Sequence, residues 1–487
     1  MVKLNDRLAE IAAGPQGPSV GAFFDLDGTL IDGYTAVAVY RDRIRKRDVG
    51  LRELGQTLGL ALDMRLRGAD LDALAAFAVG ALAGRQEEDL EEWGERLFRQ
   101  QIAGLVYPGA RQLVEAHRRA GHTLVMATSA TWFQAGPVAR DLELDDVLCT
   151  RHGVAHGMLT GLLDGGALWG PAKARAVEAY AERAGITLTD SYAYSNGAED
   201  VPFLAVAGYP CALNPDGDLP AAALLHDWPV LRLDPPGSHF GVGALVRTSV
   251  ALSALLGSVG LSTGVGLLSR SRATAANLAG SIGPDLALSL AGVRLRVSGE
   301  HNLWARRPAV FMFNHQSGLD MAILGSLIRR DVTAVVKREA RSDPRFAAIG
   351  ALLDVAYVDR AAGRGRAALE PAVAKLRAGV SIAIAPEGTR SPTPRLGRFK
   401  KGGFYLAVEA GVPIVPIVIR NAGDLMWRDS LLVHPGTVDV TVLEPIETAE
   451  WPIDEIEKLV DVVRAQYEAT LRQWPGDHAP VETEHSS

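Results

Sequence analysis

Residues 248–269 carry no charged side chain, and the chain is patterned separately on either side of them. The run is rich in Leu, Val, Gly and Ser, ends just before Arg270 and Arg272, and is followed by a second uncharged stretch at 273–284. A bilayer core takes about 20 consecutive apolar residues. The first run is therefore long enough to cross one, although its Ser and Gly content makes it a marginal span. A crossing helix, a helical hairpin, an in-plane anchor and a buried helix pair of a soluble protein all stay open on this pattern alone.

The flanking regions are simpler. From 20 to about 233, short apolar runs alternate with helical stretches, among them Val20-Gly21-Ala22-Phe23-Phe24, Leu124-Val125-Met126-Ala127 and Tyr192-Ala193-Tyr194. That alternation predicts an α/β domain with a largely parallel sheet. Residues 34–106, rich in Ala, Leu, Arg and Glu at helical spacing, are too long for a plain crossover and read as an inserted helical cap. A break falls at Asp234-Pro235-Pro236-Gly237, and the α/β rhythm returns from about 292, with candidate strands at 310–313, 334–336, 381–385 and 414–419. The expected organisation is an N-terminal α/β domain over 1–235, a hydrophobic membrane-associating helical segment over 236–291, a C-terminal α/β domain over 292–475 and a disordered polar tail over 476–487.

The 48% hydrophobic content of the 487 residues suits packed cores, and the net charge of −7 argues against nucleic-acid binding, which needs a basic surface. Cys149 and Cys211 lack metal-ligand spacing. They can form one disulfide, but two isolated thiols fit a reducing compartment better. The amphipathic first 14 residues, interrupted by Asp6, Arg7 and Glu10, do not read as a secretory signal. The expected compartment is the cytosol or a membrane face bordering it.

Phe313-Asn314-His315-Gln316-Ser317-Gly318-Leu319-Asp320 leaves a strand and enters a helix. Ser317 and Asp320 stand at capping-box spacing, which predicts a helix starting at Ser317. Asp320 can then fold back to the His315 imidazole, fix its tautomer and stabilise the imidazolium, making His315 a general base. A surface histidine beside a helix cap is the plainer alternative. Further blocks follow: Asp359-Arg360, then Pro386-Glu387-Gly388-Thr389-Arg390-Ser391, then Lys400-Lys401 beside Gly402, then Val412-Pro413-Ile414-Val415-Pro416. In this order they resemble the 1-acyl-glycerol-3-phosphate acyltransferase (PlsC-like) family over most of 311–419. The resemblance implies that His315 takes the proton of an acceptor hydroxyl attacking an acyl thioester, and that Asp320 orients His315. It assigns Arg360 to the acceptor phosphate, and Glu387, Gly388, Thr389 and Arg390 to a second acceptor-binding block. Lys400 and Lys401 would assist the phosphate or an anionic membrane surface, or be solvated charges. The implied reaction makes phosphatidate from a lysophospholipid acceptor, with acyl-CoA or acyl carrier protein as donor and no cofactor.

Asp25 and Asp27, in Phe24-Asp25-Leu26-Asp27-Gly28-Thr29, share one face at the end of a strand and can converge on one phosphate. Thr128 ends another strand, Lys173 follows Gly170-Pro171-Ala172, Asn196 and Asp200 lie on an acidic loop, and Asn214-Pro215-Asp216 comes last. The set resembles the phosphoserine-phosphatase-like subgroup (subfamily IB) of haloacid-dehalogenase-like (HAD) hydrolases, whose helical cap falls where 34–106 lies. It implies a Rossmann-like domain in which Asp25 attacks phosphorus to give an aspartyl-phosphate, with Asp27 as general acid and then base. Thr128 and Lys173 would hold phosphoryl oxygens, and Asp25, Asp27, Asn196 and Asp200 would hold Mg2+. Two residues depart from the pattern. Asn196 replaces a metal-binding Asp, and Tyr34 stands where phosphoserine phosphatases tend to have a Glu for the substrate ammonium. Phosphoserine is therefore not the expected substrate, and a non-catalytic phosphate- or partner-binding module stands beside an active phosphatase. The combined expectation is a bifunctional lipid enzyme on the cytoplasmic membrane face, where Mg2+ and the acyl donor are both available; that favours the hairpin or in-plane anchor.

Overall fold

The computed structural model describes residues 1–48, 71–236, 242–337, 356–358, 369–427, 430 and 432–474. The chain divides into two compact units, 1–238 and 239–487.

The first unit holds β1 (Gly21–Phe24), β2 (Thr123–Thr131), β3 (Asp146–Ala155), β4 (Met158–Asp164), β5 (Tyr192–Ser195), β6 (Tyr209–Leu213) and β7 (Val230–Leu231). They form one sheet of order β4-β3-β2-β1-β5-β6-β7, parallel except for the β3–β4 hairpin. β1 is buried throughout because its alternate side chains serve two cores: Phe24 packs with Ile11, Trp93 and Leu113, and Phe23 with Val177, Ala181 and Phe203. The chain builds outward from β1 on one side, then crosses to the other. The carboxyl end of β1 is thus the switch point where open α/β sheets bind ligands. Between β1 and β2 the helices Thr35–Arg45, Leu71–Gly80 and Glu87–Leu97 and the short helical turns Phe98–Ile102 and Ala103–Leu105 fall in the expected cap; its residues 49–70 lie outside the described residues. Asp42 ties two of these helices together by accepting from Trp93 Nε1 at 2.7 Å. Both cysteines are buried and free.

The helix Leu4–Ala13 inserts Arg7, 1% exposed, against Tyr192 and Tyr194, 5.2 Å from each ring centroid. Arg7 Nε donates to Tyr194 Oη at 3.2 Å, and that hydroxyl lies 2.9 Å from His117 Nε2. His117 Nδ1 and His122 Nδ1 are 2.8 Å apart, and His122 Nε2 is 2.8 Å from the Pro15 carbonyl. One neutral arrangement satisfies every contact: Tyr194 donates to His117, His117 Nδ1–H to His122, and His122 Nε2–H to Pro15. A further proton breaks this pattern: it either sets the two Nδ1–H groups head to head or turns His117 Nε2–H onto the Tyr194 oxygen, leaving the tyrosine hydroxyl proton without its acceptor. Burial, then His122 and Arg7, hold His117 well below the ordinary imidazole range, and burial lowers His122. Because the unfolded imidazoles titrate near the ordinary value of about 6.5, this cluster stabilises fully above that pH and loses its contribution as pH falls below it. On going from pH 7 to pH 5, the thermal midpoint of the full chain is expected to drop further in wild type than in His117→Phe, since groups that titrate elsewhere act alike in both proteins. An equal drop in both proteins would contradict the assignment.

In the second unit β8 (Val293–Ser298), β9 (Val310–Phe313), β10 (Val332–Lys337), β11 (Ala356–Val358), β12 (Ser381–Ile384), β13 (Ile414–Ile419) and β14 (Gly436–Val442) form a sheet of order β11-β10-β12-β9-β13-β14-β8. Only β13 and β14 pair antiparallel. Central β9 alternates as a doubly buried strand should: Phe311 and Phe313 face Ile323 and Leu288, while Val310 and Met312 face Val373, Phe404 and Tyr467.

The uncharged segments form a hairpin of the helices Val242–Ser269 and Arg272–Ala291. Arg270, at φ 53°, takes the left-handed turn, and Ser271 caps the second helix by accepting from Thr274 N at 3.2 Å. Small residues let the helices close on each other: a Cβ at Gly283 would lie 2.3 Å from Ser258 Oγ, and one at Gly266 would lie 2.5 Å from Ala275 Cβ. The second helix also packs on the helix Asp320–Ile328, where a Cβ at Gly325 would lie 2.6 Å from Pro284 Cγ. Outward, Leu256, Leu261, Leu267 and Leu268 are 53%, 66%, 76% and 90% exposed. Gly243–Ser269 is long and apolar enough to cross a membrane by length and composition, with mean hydropathy 1.7.

Candidate active sites

The end of β1 gathers a bonded cluster. Lys173, near the start of the helix Pro171–Ala184, donates to Asp25 Oδ1 at 2.9 Å and to Asp200 Oδ2 at 2.6 Å. Thr29 Oγ1 lies 3.0 Å from both Asp25 Oδ2 and Asn196 Oδ1, and Ser195 Oγ donates to Asp200 Oδ2 at 2.6 Å. Asp200 Oδ1 is buried without a protein partner. Burial raises the Asp25 carboxyl, opposed by Lys173. Although burial disfavours its charge, Lys173 is held above the usual lysine range by Asp25 and Asp200. Gly28 permits the close fit: at φ 77° it is left-handed, and a Cβ there would meet Asn196 Nδ2 at 2.2 Å.

Asp27 is engaged next to this cluster. Its Oδ1 accepts from Thr35 N at 2.7 Å and its Oδ2 from Thr35 Oγ1 at 3.1 Å. Burial pushes its carboxyl up to about 7, with Thr35 opposing and Asp25 adding. Thr128 is buried where β2 changes register, its Oγ1 accepting from Ala130 N at 3.1 Å. Among the described residues neither Asp27 nor Thr128 bonds directly to the Lys173 cluster. Tyr34 Oη donates to Asp216 Oδ2 at 3.4 Å, which also receives Asn196 Nδ2 at 3.4 Å. Thr29, Ser195 and Thr35 were not singled out in the sequence. Thr29 has the clearest signal, one helical turn after Asp25 in the same motif.

The second site lies at the carboxyl end of β9. Asn314 locks that end to β13, its amide donating to Ile419 O and accepting from Ile419 N, each at 2.7 Å. His315 follows, its Nδ1 2.8 Å from Asp320 Oδ2. Asp320, fully buried, also accepts from Gln316 N at 2.8 Å and Ser317 N at 2.9 Å. The carboxylate does fold back as expected. The helix, however, begins at Asp320 rather than Ser317. Asp320 takes the Gln316 and Ser317 N–H groups, while Ser317 Oγ accepts from Leu319 N at 3.1 Å and donates to Met426 O at 2.5 Å. The His315 side chain stays 21% exposed.

Glu387 follows β12, the neighbour of β9, and is turned inward. Its Oε1 accepts from His315 N at 2.9 Å and its Oε2 from Gly397 N at 2.7 Å; burial raises its carboxyl, opposed by these two bonds. Ser391 N donates to His315 O at 2.6 Å. Gly388, at φ 69°, lies under Lys400, whose Nζ is 2.7 Å from where a Cβ would stand. Arg390 Nη1 is 4.0 Å from the corresponding position at Gly318 in the histidine loop, and Thr389 is exposed. The structure therefore brings Glu387, Gly388, Arg390 and Lys400 around the His315 loop, with Glu387 facing backbone rather than solvent. Arg360 lies outside the described residues. Glu387→Gln, which puts an NH2 against one backbone N–H, is expected to lower kcat about tenfold or more while leaving the acceptor KM unchanged. A raised KM at normal kcat would return Glu387 to an acceptor-binding role.

The first unit thus carries a carboxylate–lysine cluster at the switch point of a doubly wound sheet, and the second a half-buried His315 bonded to the buried Asp320 at the end of a central strand. The family model for haloacid dehalogenase-like hydrolases matches residues 22–205, and the acyltransferase model matches 294–420. Phosphoserine phosphatase SerB1 of Mycobacterium tuberculosis is 31% identical over 49% of this chain and 79% of its own length. A 1-acyl-sn-glycerol-3-phosphate acyltransferase of Saccharomyces cerevisiae is 31% identical over 38% of this chain, and the match spans 62% of its length. The solved structure of the acyltransferase PlsC from Thermotoga maritima is 25% identical, covering 47% of this chain and 97% of that one with a TM-score of 0.41. The chain belongs to the haloacid dehalogenase-like hydrolases through its first unit and carries an acyltransferase domain in its second.

Proposed function

We propose that the second unit is a membrane-associated 1-acyl-sn-glycerol-3-phosphate O-acyltransferase working at the cytoplasmic face, and that the first is a phosphomonoesterase. The observation that carries the first claim is the His315–Asp320 pair. With Asp320 accepting Nδ1–H, the imidazole lone pair lies on Nε2. There it takes the proton of the acceptor hydroxyl as that oxygen attacks the thioester carbonyl of acyl-CoA or acyl carrier protein. The buried carboxylate stabilises the imidazolium, which returns the proton to the departing thiolate. Arg360, Arg390 and Lys400 supply cations for the acceptor phosphate. The exposed leucines of the hairpin bring the unit to its lipid substrate. Production of phosphatidate from lysophosphatidate and acyl donor tests this, and its absence with both donors overturns it.

In the first unit, Asp25 is the nucleophile toward phosphorus, Asp27 gives and then takes a proton, and Lys173 neutralises the phosphoryl group. Mg2+ fits the donor types present, since Asp200 Oδ1 is a buried oxygen lacking a partner and Asn196 Oδ1 and Asp25 lie on the same Thr29 hydroxyl. Bound there, it would offset phosphate charge. Asn196 leaves the set one negative charge short, which also favours the second reading of a phosphate-binding module without turnover. Asn196→Asp is expected to tighten Mg2+ binding about tenfold or more, read by calorimetry. Unchanged affinity would remove these residues from the metal set.

A further inference from the structure

Arg307 and Arg330 lie shortly before β9 and β10, parallel strands of one sheet, and so stand at the amino-terminal ends of those strands, opposite the His315 end. Both converge on Trp304: Arg307 Cζ is 4.6 Å and Arg330 Cζ 5.3 Å from its ring centroid. Arg307 Nε and Nη2 are buried with no hydrogen-bond partner, while Trp304 remains 38% exposed. Guanidinium donors withdrawn from water without an acceptor carry their full desolvation cost. In keeping with that, burial holds Arg307 below its ordinary value; Asp331 opposes this and Arg330 adds to it. Asp331 is already engaged, its Oδ1 accepting from Asn277 Nδ2 at 3.0 Å and its backbone N donating to Asn277 Oδ1 at 2.9 Å. Among the described residues neither Arg307 nor Arg330 forms an ion pair.

Two cations on one open indole, one with shielded unpartnered donors, match an anion with several acceptor oxygens, and phosphate is the common case. The turn that presents Arg330 is stitched to the hairpin twice, through Asn277–Asp331 and through Arg329–Asp285 at 3.1 Å. The hairpin's outer leucines are exposed, and an exposed Trp with Arg beside it suits the headgroup level of a bilayer. We propose that Trp304, Arg307 and Arg330 bind the phosphate of an anionic phospholipid headgroup, at a site separate from the acyl-transfer centre. The lipid origin of the ligand rests on the membrane reading above; the anion site itself does not.

Flotation of the full chain compares phosphatidylcholine vesicles with vesicles also containing phosphatidylglycerol. Removing one surface cation weakens binding to anionic lipid about fivefold, so the charge reversal Arg330→Glu, at an exposed position, is expected to lower affinity for the anionic vesicles about 25-fold. Arg377→Glu is the control, on the helix Glu370–Arg377 that packs against the other sheet face, and it is expected to change little. Equal losses in the two variants would reduce the site to general surface charge and overturn the proposal. Leu267→Asp with Leu268→Asp is expected to abolish binding to both vesicle types. A second arm needs no membrane: short-chain phosphatidylglycerol below its micelle concentration and inorganic phosphate are titrated calorimetrically. Lipid binding lost in both Arg330→Glu and Arg307→Gln supports the site even if no vesicle binds, in which case only the membrane reading fails. Arg330-dependent phosphate binding as tight as the lipid overturns the lipid assignment, and no Arg330-dependent binding of either ligand overturns the site.

Discussion

Replacing His315 by alanine is expected to lower acyl transfer about 10²–10⁴-fold, the range spanned by a general base, with the loss in kcat and little change in the acceptor KM. Asp320→Asn should fall in the same range while leaving the fold intact, because the amide oxygen can still accept from loop N–H groups but no longer stabilises the imidazolium. Asp320→Ala is a harsher change. It strips the acceptor from Gln316 N and Ser317 N as well as from His315, and each buried N–H left unpaired costs about 1–3 kcal/mol. That variant is expected to lose both activity and stability, so activity of Asp320→Asn and thermal unfolding of Asp320→Ala separate the two roles. Near wild-type turnover in Asp320→Asn would remove the carboxylate from the mechanism.

Asp27 provides the other large effect, and its sign is unusual for an aspartate. Burial lifts its carboxyl to about 7, against an ordinary value near 3.9, so between those values the folded state holds a proton that the unfolded chain has lost. The resulting stability is complete below the unfolded value and is lost as pH rises through about 7. The first unit should therefore be less stable at pH 8 than at pH 6. Asp27→Asn mimics the neutral acid and keeps the Thr35 N bond, with its NH2 donating to Thr35 Oγ1. It is expected to stabilise the unit at pH 8 by on the order of a few kcal/mol while abolishing phosphatase turnover. Denaturant unfolding of wild type and variant at the two pH values reads this out. A variant less stable than wild type at pH 8 would mean that the carboxylate is held charged.

Much of this was legible in the sequence because the chemistry sits where strands end. Apolar runs bounded by turn residues located β1, β5, β9, β12 and β13, and the residues just beyond β1 and β9 are Asp25 and His315. The order of motifs then linked residues more than 100 positions apart, such as Asp25 and Lys173, which local pattern alone cannot pair. Orientation was less accessible. Glu387 sits in a motif that suggested acceptor binding, yet its oxygens are taken by backbone N–H groups, and such partners leave no trace in side-chain identity. The helix start after His315 shifted for a related reason, since a cap spacing does not say which of two oxygen-bearing side chains wins the loop amides. The uncharged segments left several arrangements open because hydropathy is blind to whether two helices pair. Of the small residues that let them close, Gly266 and Ser258 were read only as weakening a span, and Gly283, in the second stretch, was not weighed.

Product analysis on lysophosphatidate tests the central claim most directly. Wild type, His315→Ala and Asp25→Asn are each incubated with the lipid and either acyl-CoA or acyl carrier protein, and the lipids are resolved by mass. Phosphatidate is expected from wild type and from Asp25→Asn, and only a trace from His315→Ala. Equal phosphatidate from His315→Ala and wild type, or none from wild type with either donor, would contradict it.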